Sequence, residues 1–356
     1  IDRPLLNRAL RGTYPPGSTY KPFMGLGALE TGKRTAGAIT NDPGYWMFGN
    51  HRFRSHGDHG LGAVDMHRSI VLSSNVYYYS LANDMGVDLI HDFMKPLGFG
   101  QITGLDLKGE VRGVLPSQAW KRGNYKRPEQ QKWYAGETIS LGIGQGYNSF
   151  TMLQLAQAMA VVANQGVKHK PRLAVATEDP VLRTRIPLPA EPPVNLNYKP
   201  ENVATILKAM QAVTTEGTST RVFAGAPYRS GGKTGTAQAV TIGQKDKYDA
   251  RRMEEHQRDH SLYVAFAPAE APQVVLAVVV ENAGFGAAHA APIARRVFDY
   301  VLLSQYPNEE DLAAVRKGLA AAPIGKPLIG AYTRDQLITN VMIYVMTGSF
   351  TTGAWY

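Results

Sequence analysis

Tyr14-Pro15-Pro16-Gly17-Ser18-Thr19-Tyr20-Lys21-Pro22 is a stretch that places a hydroxyl and an amine three residues apart at a predicted helix start. Positions i and i+3 share one face of a helix, so we expect the Lys21 amine to approach the Ser18 oxygen. A serine hydroxyl is a weak nucleophile at neutral pH and needs a neighbouring base to take its proton. A lysine serves as that base when burial and nearby cations lower its pKa. The apolar residues within 23–29 predict a helix buried enough to do so.

Two further polar motifs follow along the chain. Ser73-Ser74-Asn75 lies in an apolar stretch with helical spacing, and Lys233-Thr234-Gly235-Thr236 follows a pair of glycines. Taken singly, each motif has a purely structural explanation. Ser73 and Asn75 could be ordinary polar residues of a helix, Gly235 a strand bulge and Lys233 a solvated surface charge. Taken together and in this order, S-x-x-K, S-x-N and K-T-G form the motif set of penicillin-binding proteins and serine β-lactamases.

The composition is that of an ordinary globular protein. Of its 356 residues 44% are hydrophobic and 19% charged, which allows one large domain or two smaller ones with a buried core. The sequence holds no apolar run of about eighteen residues, the length needed to span a membrane. The net charge of +9 is spread along the chain without a nucleic-acid motif, so we expect no nucleic-acid partner. The chain has no cysteine, which excludes disulfides and thiol catalysis.

Hydrophobic spacing predicts helices over 22–29, 64–85, 89–94, 151–163, 201–214 and 290–303, the fourth with Thr151 as its N-cap. It predicts strands over 235–240, 262–267 and 274–281. Residues 41–62 and 106–132 are expected to be loops, and 180–200 a proline-rich surface excursion. The Gly142-Ile143-Gly144-Gln145-Gly146 segment is a predicted tight turn rather than a phosphate site. Helices, then adjacent strands, then a last helix indicate an α+β domain with an antiparallel sheet.

The flanks of the three motifs resemble the class B penicillin-binding proteins, in particular the branch of Gram-negative rod-shape synthesis. The similar segments are 14–22, 69–86, 136–165, 230–238 and 266–273, within a resemblance that runs from residue 1 to about 325. The resemblance implies a penicillin-binding transpeptidase domain over 1–325, with a β-lactamase/transpeptidase-like five-stranded sheet, a helical subdomain and a cleft between them. It also implies a membrane anchor and a pedestal domain before Ile1 in the full-length protein.

The resemblance further implies a role for each motif residue. Ser18 corresponds to the nucleophile and Lys21 to the base that takes its proton. Ser73 corresponds to a proton shuttle and Asn75 to the residue that holds the substrate amide and Lys21. Lys233 corresponds to a source of positive charge near Ser73 and the substrate carboxylate. The residues that correspond to the carboxylate-binding strand are Thr234, Gly235 and Thr236. The backbone N–H groups of Ser18 and Thr236 correspond to an oxyanion hole.

The implied function is a peptidoglycan D,D-transpeptidase that forms an acyl-serine intermediate, is acylated by β-lactams and needs no cofactor. The implied partners are peptidoglycan stem peptides, β-lactam antibiotics, a membrane glycan polymerase and cell-shape scaffold proteins, at the periplasmic face of the inner membrane. A serine β-lactamase, a D,D-carboxypeptidase and a non-enzymatic β-lactam sensor domain remain alternatives. The class A β-lactamase E-x-x-L-N glutamate has no good match in this sequence.

Two segments depart from the family pattern. Between the first two motifs, four of the nine histidines and two aspartates crowd together, but their spacing matches no recognised ligand pattern. We interpret this segment (Asp42, His51, His56, Asp58, His59 and His67) as a polar surface loop, with a zinc site as the alternative. The tail, 326–356, is unlike a transpeptidase ending. Its residues 332–344 are similar to a helix near the end of epoxide-hydrolase-type α/β-hydrolases, without the remaining catalytic set, so we assign the tail no activity.

Overall fold

The computed structural model describes residues 6–55, 59–238, 254–306, 309, 341–345 and 352–354. The helices in these ranges are α1 (Arg8–Arg11), α2 (Lys21–Glu30), α3 (Met66–Val71), α4 (Asn75–Met85), α5 (Val87–Leu97), α6 (Gln118–Asn124), α7 (Pro128–Gln131), α8 (Ala135–Leu141), α9 (Met152–Ala163), α10 (Pro200–Thr215), α11 (Thr220–Phe223) and α12 (Ala290–Leu303). Two 3-10 helices cover Gly17–Tyr20 and Glu255–Gln257. Within the described residues, no helix combines the length and apolarity that crossing a membrane requires.

In the described ranges the strands pair into one larger sheet and four two-stranded ones. They are β1 (Thr40–Asp42), β2 (Tyr45–Phe48), β3 (His51–Arg54), β4 (Gly62–Val64), β5 (Val167–Lys168), β6 (Ala176–Glu178), β7 (Arg185–Pro187), β8 (Val194–Asn195), β9 (Gly231–Ala237), β10 (His260–Ala267), β11 (Val274–Val280), β12 (Val341–Val345) and β13 (Thr352–Ala354). The five-stranded sheet has the order β13-β12-β11-β10-β9 and every neighbouring pair is antiparallel. The predicted α+β class with a five-stranded antiparallel sheet is confirmed.

The sheet is covered by helices on both faces. Because side chains alternate along a strand, Leu262, Val264 and Phe266 of β10 join the larger core, which also contains α2, α9 and α10 residues. The intervening side chains of β10 join a second cluster with the apolar stripe of α12. Helix α9 is buried around its whole circumference. Its N-terminus is closed by a capping box, as Thr151 accepts from the Gln154 N–H at 3.2 Å and Gln154 accepts from the Thr151 N–H at 3.1 Å.

The single helix predicted over 64–85 is wrong at the second motif, where the chain breaks between α3 and α4. Ser73 adopts a left-handed backbone with φ 58°. The Ser74 hydroxyl accepts the Tyr77 backbone N–H at 3.1 Å and so caps α4. Serine side chains compete for backbone donors in this way, and the apolar periodicity of the flanking residues conceals it.

Several predicted loops also contain regular structure. The described residues of 41–62 include parts of the β1–β4 and β2–β3 pairs, and 106–132 include α6 and α7. The excursion over 180–200 is exposed as predicted, although it carries β7 and β8. Strand β9 begins at Gly231, earlier than predicted. A Cβ on Gly231 would collide with Phe266 and one on Gly232 with Tyr263, so this part of the strand lacks the side chains that reveal a strand in a sequence. Residues 239–240 of that predicted strand lie outside the described residues.

The predicted tail supplies two strands of the larger sheet. Strand β12 pairs with β11 from Val274↔Val345 to Val278↔Val341, and β13 pairs with β12. The helix suggested by the hydrolase likeness is therefore wrong for 341–344, while 326–340 lie outside the described residues. The division of the chain at 325 stays a prediction.

Candidate active site

The first motif straddles two helical segments. Ser18 lies in the 3-10 helix Gly17–Tyr20, where it is half-buried. Lys21 is the first residue of α2 and is fully buried. Within the described part of the chain, the Ser18 hydroxyl has no hydrogen-bond partner, so it is free to meet a substrate.

The turn before Ser18 is held by backbone contacts on two sides. The Gly17 N–H donates to the Gly144 carbonyl at 3.0 Å, and the Tyr14 N–H donates to the Phe150 carbonyl at 2.9 Å. Gly17 has a φ of 54°, and a Cβ there would lie 2.6 Å from the Thr236 carbonyl oxygen. This close approach brings the third motif beside Ser18, which is why the position requires glycine.

A Gly144→Ala substitution is expected to impair the site and the fold together. Gly144 has a φ of 71°, and its added Cβ would overlap the Gly17 carbonyl. The left-handed backbone alone costs about 1–2 kcal/mol for alanine. We expect a fall of at least that size in the free energy of unfolding, measured in urea, with slower acylation of Ser18. Gly225→Ala is the matched control, since Gly225 has the same φ of 71° but no atom lies within 4 Å of a Cβ added there. Equal losses in both variants would contradict the proposed packing.

The Lys21 amine reaches the second motif. It donates to the Ser73 carbonyl at 2.8 Å, to the Ser73 hydroxyl at 3.2 Å and to Asn75 Oδ1 at 2.7 Å. The left-handed backbone of Ser73 presents both its carbonyl and its hydroxyl to the amine. The expected direct approach to Ser18 is not among these hydrogen bonds. Positions i and i+3 also align in the 3-10 turn that holds Ser18. The hydrogen bonds of the Lys21 amine go instead to the Ser73 and Asn75 oxygens.

A second lysine meets the same hydroxyl. Lys233 is fully buried, and its amine donates to Ser73 Oγ at 2.9 Å and to the Thr234 carbonyl at 3.1 Å. Ser73 Oγ therefore lies between the amines of Lys21 and Lys233. The structure brings together the motifs at 18–21, 73–75 and 233–236, which are far apart in the sequence.

Both amines have lowered pKa values. Burial is the main reason that the pKa of Lys21 lies well below its usual 10.5, and the positive charge of Lys233 lowers it further, while the Asp42 carboxylate opposes the shift. Burial lowers the pKa of Lys233 to about 7. Both shifts favour the neutral amine, which is the form that a general base requires.

The lowered pKa of Lys233 predicts a pH-dependent stability. Between about 7 and 10.5 the unfolded lysine holds its proton while the folded one has lost it. The unfolded state then binds more protons, so the free energy of unfolding rises with pH, by at most about 1.4 kcal/mol per pH unit from this group. Urea unfolding at pH 7 and pH 9 should show a larger increase for the wild type than for Lys233→Met. Parallel changes in the two proteins would contradict the assignment.

Sequence reasoning missed the role of Asp42. Its side chain is 1% exposed, and it accepts from the Ser74 hydroxyl at 2.6 Å and the Gly44 N–H at 2.8 Å. It thus ties β1 to the turn that carries Ser73. The interpretation of Asp42 as part of a polar surface loop is wrong. Only the Asp42-Pro43-Gly44 turn signal pointed to a fixed position for this residue.

The neighbouring histidines do not converge on a site within the described residues. No group of three or more histidine, aspartate or glutamate side chains there is arranged to hold a metal ion. His67 lies 3.7 Å from the exposed Glu216 carboxylate, and His51 packs edge-on against Phe53. His56 and Asp58 lie outside the described residues.

The third motif forms the terminal strand of the five-stranded sheet. Strand β9 pairs with β10 on one side, and no strand pairs with its other edge in the described part of the chain. A Cβ on Gly235 would lie 2.8 Å from Thr19 Cγ2, so this strand packs directly on the 3-10 helix of Ser18. Gln145 Nε2 donates to the Thr236 carbonyl at 3.3 Å, which holds the strand from the glycine-rich turn.

Residues 1–299 match the family model described as the penicillin binding protein transpeptidase domain. The chain belongs to this family. The match covers most of the sequence and contains all three motifs, so the transpeptidase-domain expectation is confirmed.

Individual relatives of this transpeptidase domain agree with the family match. The chain is 39% identical over 320 residues to peptidoglycan D,D-transpeptidase MrdA of Haemophilus influenzae, covering 87% of this chain and 48% of that protein. It is 40% identical to Pseudomonas aeruginosa PBP2 in complex with WCK 5153, with a TM-score of 0.72 over 87% of this chain and 62% of that one. PBP2 of Helicobacter pylori in complex with MreC is 26% identical, with a TM-score of 0.71, over 85% and 52% of the two chains. The chain spans about half the length of the curated relatives it matches.

Proposed function

We propose that this domain is a peptidoglycan D,D-transpeptidase that works through an acyl-serine intermediate at Ser18. The observation that carries the proposal is the Ser73 hydroxyl between two buried lysine amines, 3.2 Å from Lys21 and 2.9 Å from Lys233. This arrangement can move a proton between the nucleophile and a leaving amine. The family match and the similarity to curated D,D-transpeptidases support the same reaction.

In the first half-reaction, Ser18 Oγ attacks the carbonyl carbon between the two terminal D-alanines of a stem peptide. Lys21 takes the hydroxyl proton in its neutral form. The C–N bond then breaks as Ser73 passes its hydroxyl proton to the nitrogen of the departing D-alanine. Ser73 regains a proton from Lys21, which holds the one taken from Ser18. An amine of a neighbouring peptide attacks the acyl-serine, restores the Ser18 hydroxyl and forms the cross-link.

The third motif is proposed to bind the substrate backbone and its carboxylate. The free edge of β9 allows an extended peptide to pair as an added strand, with backbone hydrogen bonds supplying affinity. The hydroxyls of Thr234 and Thr236 bind the terminal carboxylate, and Gly235 leaves room for the peptide. The N–H groups of Ser18 and Thr236 form the oxyanion hole, where loss of one donor costs about 2.7–4 kcal/mol of barrier in such sites.

The proposed setting is the periplasmic face of the inner membrane. There the full-length protein would act with a membrane glycan polymerase and with cell-shape scaffold proteins. The Helicobacter pylori relative in complex with MreC supports a scaffold partner. β-Lactam antibiotics would acylate the same serine as the stem peptide.

Incubation with fluorescent penicillin, followed by intact mass and peptide mapping over time, tests this function. We expect a long-lived adduct on Ser18, together with D-alanine release from a pentapeptide and incorporation of an added acceptor amine. The acceptor product separates a transpeptidase from a D,D-carboxypeptidase, which releases D-alanine with water alone.

Other outcomes would contradict the proposal. Hydrolysed penicillin without a lasting adduct would indicate a β-lactamase. A stable adduct without any turnover of peptide would indicate a sensor domain. Absence of any reaction would remove the acyl-serine assignment.

A further inference from the structure

Thr218 presents its hydroxyl to the third motif from outside the three motifs. Its Oγ1 lies 2.8 Å from Thr234 Oγ1, and either hydroxyl can be the donor. Thr218 is exposed, whereas Thr234 is 8% exposed. Within the described residues, the Thr234 hydroxyl forms its side-chain hydrogen bond with Thr218. An exposed hydroxyl is thus paired with one that the proposed function assigns to the substrate carboxylate.

The turn that carries Thr218 is fixed on both sides. Before it, a Cβ on Gly217 would lie 2.9 Å from the Val71 carbonyl of α3 and 2.7 Å from Val213 Cα of α10. After it, the buried Ser219 hydroxyl lies 3.0 Å from Tyr263 Oη and donates to the Val213 carbonyl at 3.2 Å. Thr218 therefore occupies a defined position rather than a loose loop.

The hydrogen bonds of Thr218 and Ser219 both end on one cross-strand pair of the sheet. Tyr263 of β10 is the cross-strand partner of Thr234 of β9. Ser219 binds the first and Thr218 binds the second. The turn therefore locks onto the sheet at the position where Thr234 must be oriented.

We propose that Thr218 is a positioning residue of the carboxylate subsite, because its hydroxyl donates to Thr234 and directs the Thr234 proton to the substrate carboxylate. A threonine hydroxyl has one proton to donate and lone pairs to accept. If Thr234 donated its proton to Thr218, the lone pairs of Thr234 would face the substrate carboxylate and repel it. With Thr218 as donor, the two hydroxyls form a chain that ends on the carboxylate, in which each hydrogen bond strengthens the next. This inference rests on the proposed function.

Acylation by benzylpenicillin and by its methyl ester, which lacks the negative charge, tests the inference. The second-order acylation rate constant of Thr218→Val for the free acid should fall roughly tenfold or more, as for hydrogen bonds to charged groups. The rate constant for the ester should stay unchanged. Thr218→Ser, which keeps the hydroxyl, should restore the preference for the acid. In a Thr234→Val background, Thr218→Val should cause no further loss, because the chain is already broken.

Thr215→Val is the matched control, since Thr215 is an exposed threonine at the end of α10. Equal losses for acid and ester in Thr218→Val would show a merely structural role and overturn the inference. So would an unchanged preference for the acid in Thr218→Val, or in Thr218→Ala if the valine variant does not fold. These results leave the acyl-serine function standing. A wild-type protein that neither substrate acylates would overturn the proposed function and the role of Thr218 with it.

Discussion

We expect Ser18→Ala to abolish covalent labelling by penicillin and to leave the fold intact. In the proposed mechanism the acyl bond forms on Ser18 Oγ, so removal of this atom should eliminate the adduct rather than slow its formation. The side chain is half-buried and its hydroxyl makes no hydrogen bond within the described residues. Substitutions that break no packing or hydrogen bond usually change stability by about 0.5 kcal/mol or less. Intact mass after prolonged incubation should show only unmodified protein, and the thermal midpoint should match the wild type.

Ser304→Ala controls for the loss of a serine elsewhere, because Ser304 is exposed at the end of α12. This variant should be labelled at the wild-type rate. Stoichiometric labelling of Ser18→Ala would contradict the assignment of the nucleophile, and peptide mapping would then identify the residue that reacts.

We expect Lys21→Met to slow acylation strongly while the adduct stays on Ser18. Removal of a general base typically costs about 10²–10⁴ in rate. Methionine retains an unbranched apolar stem of similar length, but no proton acceptor of comparable basicity replaces the amine. Stopped-flow or quenched measurements of the acylation rate, combined with mapping of the slow adduct, separate loss of the base from loss of the nucleophile.

Lys208→Met is the control for a lysine exchanged on a helix, since Lys208 is exposed on α10. Its acylation rate should equal that of the wild type. A loss of less than about tenfold in Lys21→Met would contradict Lys21 as the base and would direct attention to Lys233, whose amine also reaches Ser73. A thermal midpoint far below the wild-type value would assign the loss to misfolding instead.

Much of the helical framework could be predicted because burial imposes a period on the sequence. The apolar faces of α2, α9, α10 and α12 repeat with helical spacing, and the structure confirms each within a few residues. The β-branched run over 274–281 likewise predicted a strand, and the structure shows β11 there, buried on both faces. The errors in the predicted helix and strand bounds have two causes. A local side chain can interrupt the helical spacing, as where Ser74 caps α4. The partner strand can also set where a strand begins, as at Gly231 opposite Phe266.

The chemical identity of the candidate site is present in the sequence, since its three motifs are short and occur in one order. The sequence could not give the contacts between them. The Lys21 amine binds Ser73 and Asn75, more than fifty residues away, rather than its near neighbour Ser18. Asp42 and Thr218 belong to no motif, and only their hydrogen bonds to Ser74 and Thr234 connect them to the site.

The sequence by itself determined the fold class and the residues able to form an acyl-serine site, because periodicity and residue type are local properties of the chain. Only the tertiary structure decided the protonation of that site. Packing buries Lys21 and Lys233 side by side, and the cost of removing a charge from water lowers both pKa values. That cost depends on what surrounds each amine in space, and residues distant in sequence supply those surroundings.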